Sequence, residues 1–112
     1  IINGGNYSNN YHGVYLYSSN NNTLRQANLT SNLFGVSLLS SNYTNITGNS
    51  ISANSSSARG IQLLDGAQSS TVSGNTISGG DRVIYLRGAS GSGLYTRYNN
   101  FSNNNIFSVI VN

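Results

Sequence analysis

The apolar residues of this chain recur as a short signature at long intervals. Gly13-Val14-Tyr15-Leu16-Tyr17-Ser18-Ser19 is followed by Leu24 and then Leu29-Thr30. Gly35-Val36-Ser37-Leu38-Leu39-Ser40-Ser41 is followed by Ile46 and then Ile51-Ser52. The two lines are offset by 22 residues (35 − 13), and Leu24 and Leu29 keep that offset from Ile46 and Ile51. Gly60-Ile61-Gln62-Leu63-Leu64, with Val72 and Ile77, forms a third line. Val83-Ile84-Tyr85-Leu86-Arg87 opens a fourth, in which Thr96 takes the third apolar place and Phe101 the fourth. Length changes at 54–59, by one residue between Gly60 and Val72, and around Gly88, Gly91 and Gly93, where Gly, Ser and Asn cluster as they do in turns.

Inside each line the pattern alternates. Val14 and Leu16 point one way, Tyr15 and Tyr17 the other, and Val36/Leu38, Ile61/Leu63 and Ile84/Leu86 repeat the arrangement. Alternation over four or five residues predicts short strands, and windows rich in Ser, Asn, Thr, Tyr and Gly predict no helices. A strand-forming unit of this length cannot bury its own apolar face and stacks on copies of itself. The expected fold is all-β: one single-domain parallel β-solenoid of about five coils. Its units are a half coil 1–12, coils 13–34, 35–59, 60–82 and 83–105, and a half coil 106–112. The expected interior is Val14, Leu16, Leu24, Leu29, Val36, Leu38, Ile46, Ile51, Ile61, Leu63, Val72, Ile77, Ile84, Leu86 and Phe101.

Gly-Ile/Val-x-Leu-x-x-Ser followed by Asn-x-Ile-Ser-x-Asn resembles the right-handed parallel β-helix repeats of NosD-type periplasmic proteins. Carbohydrate-active β-helix enzymes and surface proteins carry similar repeats. The resemblance implies the fold, and it leaves function open because this architecture serves enzymes, binding modules and scaffolds alike. It also implies an internal stack of asparagines at one bend, here Asn49, Asn75 and Asn99, with Ala27 as the exception.

Run backwards, the register places Ile2 and Tyr7 in the second half of a coil. Run forwards, Ile106-Phe107-Ser108-Val109-Ile110 reads like Val83-Ile84-Tyr85-Leu86-Arg87, the first half of a coil. The two ends are then complementary. One reading is head-to-tail stacking, with Ile2, Tyr7, Ile106, Phe107, Val109 and Ile110 at the subunit interface. The other is a piece of a longer β-helix; the absence of Met and the start at Ile1 fit either a processed form or an excised piece.

Composition narrows the chemistry. Only 6% of residues are charged, there is no Lys or Cys, and five Arg leave a formal net charge of +3. The arginines are scattered, so no nucleic-acid footprint is expected. Without Cys there is no disulfide framework or thiolate metal site, and no apolar run is long enough to span a membrane.

No catalytic residue, cofactor site or metal site is expected, and the chain reads as a non-enzyme. Asp65 and Asp81 are the only acids, and two are too few for a hard cation that wants six or more oxygens. Arg87 falls near Asp65, as a surface ion pair. His12 has no second His, Cys or acid in its register, and the serines have no base within reach. Tyr17, Leu39 and Leu64 form an outward column suited to lateral packing between filaments or, with Tyr15 and Tyr85, to a sugar platform. Asn-x-Ser/Thr occurs at Asn6, Asn21, Asn28, Asn42, Asn45, Asn54 and Asn100, and these are candidate glycan acceptors, least so Asn28 beside inward Leu29. The expected function is therefore an extracellular or cell-surface filament subunit, a glycoprotein that polymerises with itself head to tail. The alternative is a carbohydrate-binding or polysaccharide-processing fragment of a larger surface protein.

Overall fold

In a computed structural model, described for residues 1–53, 55–89 and 93–108, the chain winds through three sheets in strict rotation. The first sheet holds β1 (Ile2–Asn3), β4 (Thr23–Arg25), β7 (Asn45–Thr47), β10 (Thr71–Ser73) and β13 (Asn100–Ser102). The second holds β2 (Asn6–Ser8), β5 (Asn28–Thr30), β8 (Ser50–Ser52), β11 (Thr76–Gly79) and β14 (Asn105–Ser108). The third holds β3 (His12–Tyr17), β6 (Phe34–Leu39), β9 (Arg59–Leu64) and β12 (Arg82–Arg87). Every pairing is parallel. There is no helix among the described residues.

The pairing register builds the core as columns. Ile2, Leu24, Ile46, Val72 and Phe101 stack on the first sheet, and Tyr7, Leu29, Ile51, Ile77 and Ile106 on the second. Val14, Val36, Ile61 and Ile84 stack on the third, beside Leu16, Leu38, Leu63 and Leu86. The middle rungs are fully buried, from Leu24 through Ile77. A three-residue strand suffices on the first two sheets because only its central side chain must face inward.

Glycine is the second residue of β3, β6 and β9, where the second-sheet column packs against it; β12 has Val83 in that place. A Cβ at Gly13 would lie 2.6 Å from the Gly35 carbonyl oxygen and against Leu29. At Gly35 it would meet the Gly60 carbonyl oxygen at 2.5 Å and press into Ile51. The bend after each first-sheet strand begins with a left-handed residue: Gly4, Gln26, Gly48, Gly74 and Asn103, with φ between 53° and 74°.

Two features differ from the sequence-based register, both from one slip of five residues. Phe101 pairs with Val72 and Ile106 with Ile77, so Phe101 is the third apolar position of its turn and Ile106 the fourth. Thr96 lies between strands instead, its Oγ1 donating to the Arg87 carbonyl at 2.7 Å. The reason is that the connection from β12 to β13 is much longer than its equivalents. It carries Leu94, Tyr95, Arg97 and Tyr98 as an insertion that the five-residue spacing from Thr96 to Phe101 imitates by chance. Ile106–Ser108 therefore closes the fourth turn and does not begin a fifth. Among the described residues the stack is about four turns, with five strands in two sheets and four in the third, so they do not begin and end as matching halves. Val109 and Ile110 lie outside the described residues.

The same slip moves the asparagine ladder. The Asn75 backbone N–H donates to Asn104 Oδ1 at 3.0 Å, and Asn49 N–H to Asn75 Oδ1 at 2.9 Å. Ala27 N–H in turn donates to Asn49 Oδ1 at 2.9 Å. Asn104, not Asn99, continues the stack. Asn99 serves a second ladder at the corner before the first sheet, accepting from Ser70 N–H at 2.9 Å, while Ser70 Oγ accepts from Thr44 N–H at 3.1 Å.

Candidate functional site

The outer faces of the three sheets are chemically unlike. On the first two, the residues flanking each inward side chain are Asn, Ser and Thr, with Arg25 and Phe107 the departures among complete strands. Asn6/Ser8, Asn28/Thr30, Asn45/Thr47 and Asn100/Ser102 are such flanking pairs, so these Asn-x-Ser/Thr sequences fall on strand faces as part of the repeat itself. Asn21 and Asn42 lie at the corner before the first sheet. Asn21 is exposed, while Asn42 is half-buried and its Oδ1 accepts from Gln68 N–H at 3.0 Å. Asn54 lies outside the described residues.

The third sheet gathers rings and charge. Its outward columns read Tyr15, Ser37, Gln62, Tyr85 and Tyr17, Leu39, Leu64, Arg87. Tyr17 is well exposed, but Leu39 and Leu64 are half-buried, so the lateral row is less open than its sequence suggests. Before these columns stand His12, Phe34, Arg59 and Arg82. His12 stacks on Tyr15 with centroids 4.7 Å apart. The Arg59 guanidinium lies 4.0 Å from the Tyr85 ring centre and 5.6 Å from that of Phe34, and Arg82 lies 4.6 Å from Tyr85. Cations over ring faces are held by the ring quadrupole.

Beneath these rings Ser37 is 0% exposed and Gln62 4%. Arg59 Nη1 donates to Gln62 Oε1 at 3.0 Å, Gln62 Nε2 donates to Ser37 Oγ at 2.7 Å, and Ser37 Oγ meets His12 Nδ1 at 2.8 Å. His12 therefore does have a hydroxyl within reach, contrary to the sequence reading. Its register partner is Phe34, and the serine stands three residues beyond, so column counting misses the contact. The sealed serine cannot meet a substrate in this geometry, so the pair is structural as it stands. Burial holds the His12 pKa below its ordinary value.

The acids do not face one groove. Asp65 and Arg87 make a two-pronged pair, Nη2 to Oδ2 at 2.9 Å and Nε to Oδ1 at 3.3 Å, which raises the Arg87 pKa further. Asp81 lies 3.5 Å from Arg82 at the other end of β12. The two arginines are five residues apart on one strand, about 16 Å along the backbone, and each acid is held by a different one. A carboxylate pair working on a glycosidic bond stands about 5 to 9.5 Å apart. Among the described residues no group of three or more His, Cys, Asp or Glu could hold a metal ion. No helix among them is long and apolar enough to cross a membrane.

The two rims complete the surface. Tyr7, Ile2 and Leu16 are half-buried at the first turn, and Leu86 (49%), Ile106 (48%) and Phe107 (48%) are exposed at the last.

A three-sheet stack of parallel strands wound in rotation, with an asparagine ladder at one bend, defines a parallel β-helix. The chain belongs to the family described as right handed beta helix region, whose model matches residues 2–112. No curated protein and no solved structure gives a significant match.

Proposed function

We propose that this protein is a structural β-helix that stacks end to end with further copies of itself, as a filament subunit at the cell surface or outside the cell. The observation that supports the reading is the continuity of the core columns to both rims. There the apolar side chains Ile2, Tyr7 and Leu16 and, opposite, Leu86, Phe101 and Ile106 remain partly or largely exposed in register with the buried rungs. An uncovered rung offers unpaired backbone N–H and C=O groups over an open core, which favours strand addition. A head-to-tail contact of that kind does not close and gives a fibre. Because the third sheet has one strand fewer than its neighbours among the described residues, a seamless junction also needs a strand laid on β12. Val109 and Ile110 follow β14 directly in sequence.

Replacing Ile106 with Asp puts a charge on the exposed rim. Sedimentation velocity should show the long species of the parent protein reduced to single subunits with unchanged circular dichroism. Fibres that form as before would remove this interface from the proposal.

A second reading is favoured by one observation. Tyr15, Tyr17, Phe34 and Tyr85 share the third-sheet face with three arginines, although sequence alone spreads the tyrosines over several faces. Aromatic faces with an apolar body and a polar tip suit sugar rings. On this reading the face binds a polysaccharide, and a glycan-array signal should disappear in Tyr15→Ala and in Tyr85→Ala. Signal retained in both would exclude it.

A further inference from the structure

The hydrogen bonds on the outer face of the third sheet have only one consistent direction. A guanidinium has no acceptor, so Arg59 Nη1 fixes the Gln62 amide with Oε1 toward itself and Nε2 toward Ser37. Ser37 Oγ then accepts from Gln62, and its own proton needs an acceptor. Ser37 is fully buried, so water does not serve, and His12 Nδ1 at 2.8 Å is the acceptor in reach. His12 is therefore neutral, with its proton on Nε2.

We propose that Arg59, Gln62, Ser37 and His12 form a proton-sensitive clasp. It ties the first turn to the second and third across the outer face and opens when His12 takes up a proton. A proton on Nδ1 turns the acceptor of the Ser37 hydroxyl into a second donor to its oxygen and leaves the serine proton without a buried acceptor. Among the described residues no anionic group faces the imidazolium, and the rings around it offer only their quadrupoles. Tyr11 and Tyr15 of its own segment, and Phe34 of the next strand, are uncharged rings. The charge that shares the Phe34 ring with His12 is Arg59, a like charge with its Nε buried and unpaired. Both acids are occupied elsewhere, Asp65 by Arg87 and Asp81 by Arg82. β3 is the rim strand of its sheet and also carries Val14 and Leu16, so the clasp sets how firmly that rim is held. This inference stands apart from the stacking reading.

The sign follows from linkage. The unfolded histidine titrates near its ordinary value of 6.5, and the folded one lower. The clasp is intact above 6.5, and its contribution falls as pH drops from there through the folded pKa. Imidazole ¹⁵N chemical shifts of the full chain at pH 8 test the geometry directly. The expected result is a proton on Nε2 only, and a proton on Nδ1 overturns the proposal. Hydrogen exchange of the β3 amides between pH 7.5 and 4.5, corrected for intrinsic rates, tests the switch. Protection should fall by about tenfold for each unit separating folded and unfolded pKa, more than for β10. His12→Phe, which cannot titrate, should abolish the difference between β3 and β10. Ser37→Ala should move the His12 titration. Equal pH dependence of β3 and β10, or an unmoved titration in Ser37→Ala, would refute the clasp.

Discussion

The first two sheets and the third use the same core and differ in everything outside it. On the first two, strands are mostly three residues, the bend between them begins with a left-handed residue, and the ladder of Asn49, Asn75 and Asn104 consumes backbone donors that would otherwise be buried unpaired. The third sheet has six-residue strands, reached through corners of varying length, and outward columns that change from turn to turn. One part of each turn maintains the stack, and the other carries its chemical individuality. The difference shows that the repeat is held most strictly at the positions that touch the neighbouring turns from inside.

That contrast can be broken by mutation, and the largest effects belong to the shared core. Ile51→Ala removes a fully buried side chain from the second-sheet column and should cost about 2–5 kcal/mol in urea unfolding, provided the transition is two-state. Asn75→Ala removes an amide that donates to the Ile46 carbonyl and to Asn104 Oδ1 while accepting from Asn49, and should cost about 1–3 kcal/mol per group left unpaired. Asn75→Asp should not rescue it, since a carboxylate cannot donate to the Ile46 carbonyl. Gly35→Ala should lower the unfolding midpoint through overpacking, by about 1–3 kcal/mol, because the added methyl meets backbone as well as Ile51.

On the third sheet's face the effects should be small. Arg87→Ala breaks the pair with Asp65, but the arginine side chain is 53% exposed and screened by solvent, so the change should stay under about 1 kcal/mol and shrink further in salt. A large loss there would show that the outer face supports the stack after all.

The inward columns were legible in sequence because core spacing is imposed by every turn on the next. Val14 through Ile77 fall where the alternation places them. The fourth turn was misread for a physical reason: corners are free to lengthen, and in a chain rich in Asn and Ser an insertion offers false copies of the motif. Asn99 stands before Asn100-Phe101 as Asn75 stands before Thr76-Ile77, and only pairing with β10 separates them. The face of the third sheet was half legible. Its tyrosines fall in the outward columns of the alternation, and Asp65 and Arg87 are one turn apart in register. The contact of His12 with Ser37 crosses both rungs and columns, and Arg59 reaches it through Gln62, so no single spacing encodes the group.

The most direct measurement is the axial repeat of the assembled protein by electron cryomicroscopy. Five layers at the parallel-strand spacing predict unbranched rods with a rise of about 24 Å per subunit. Discrete particles of a single subunit at high concentration, or rods whose repeat is not a whole number of strand spacings, would contradict end-to-end stacking of these turns.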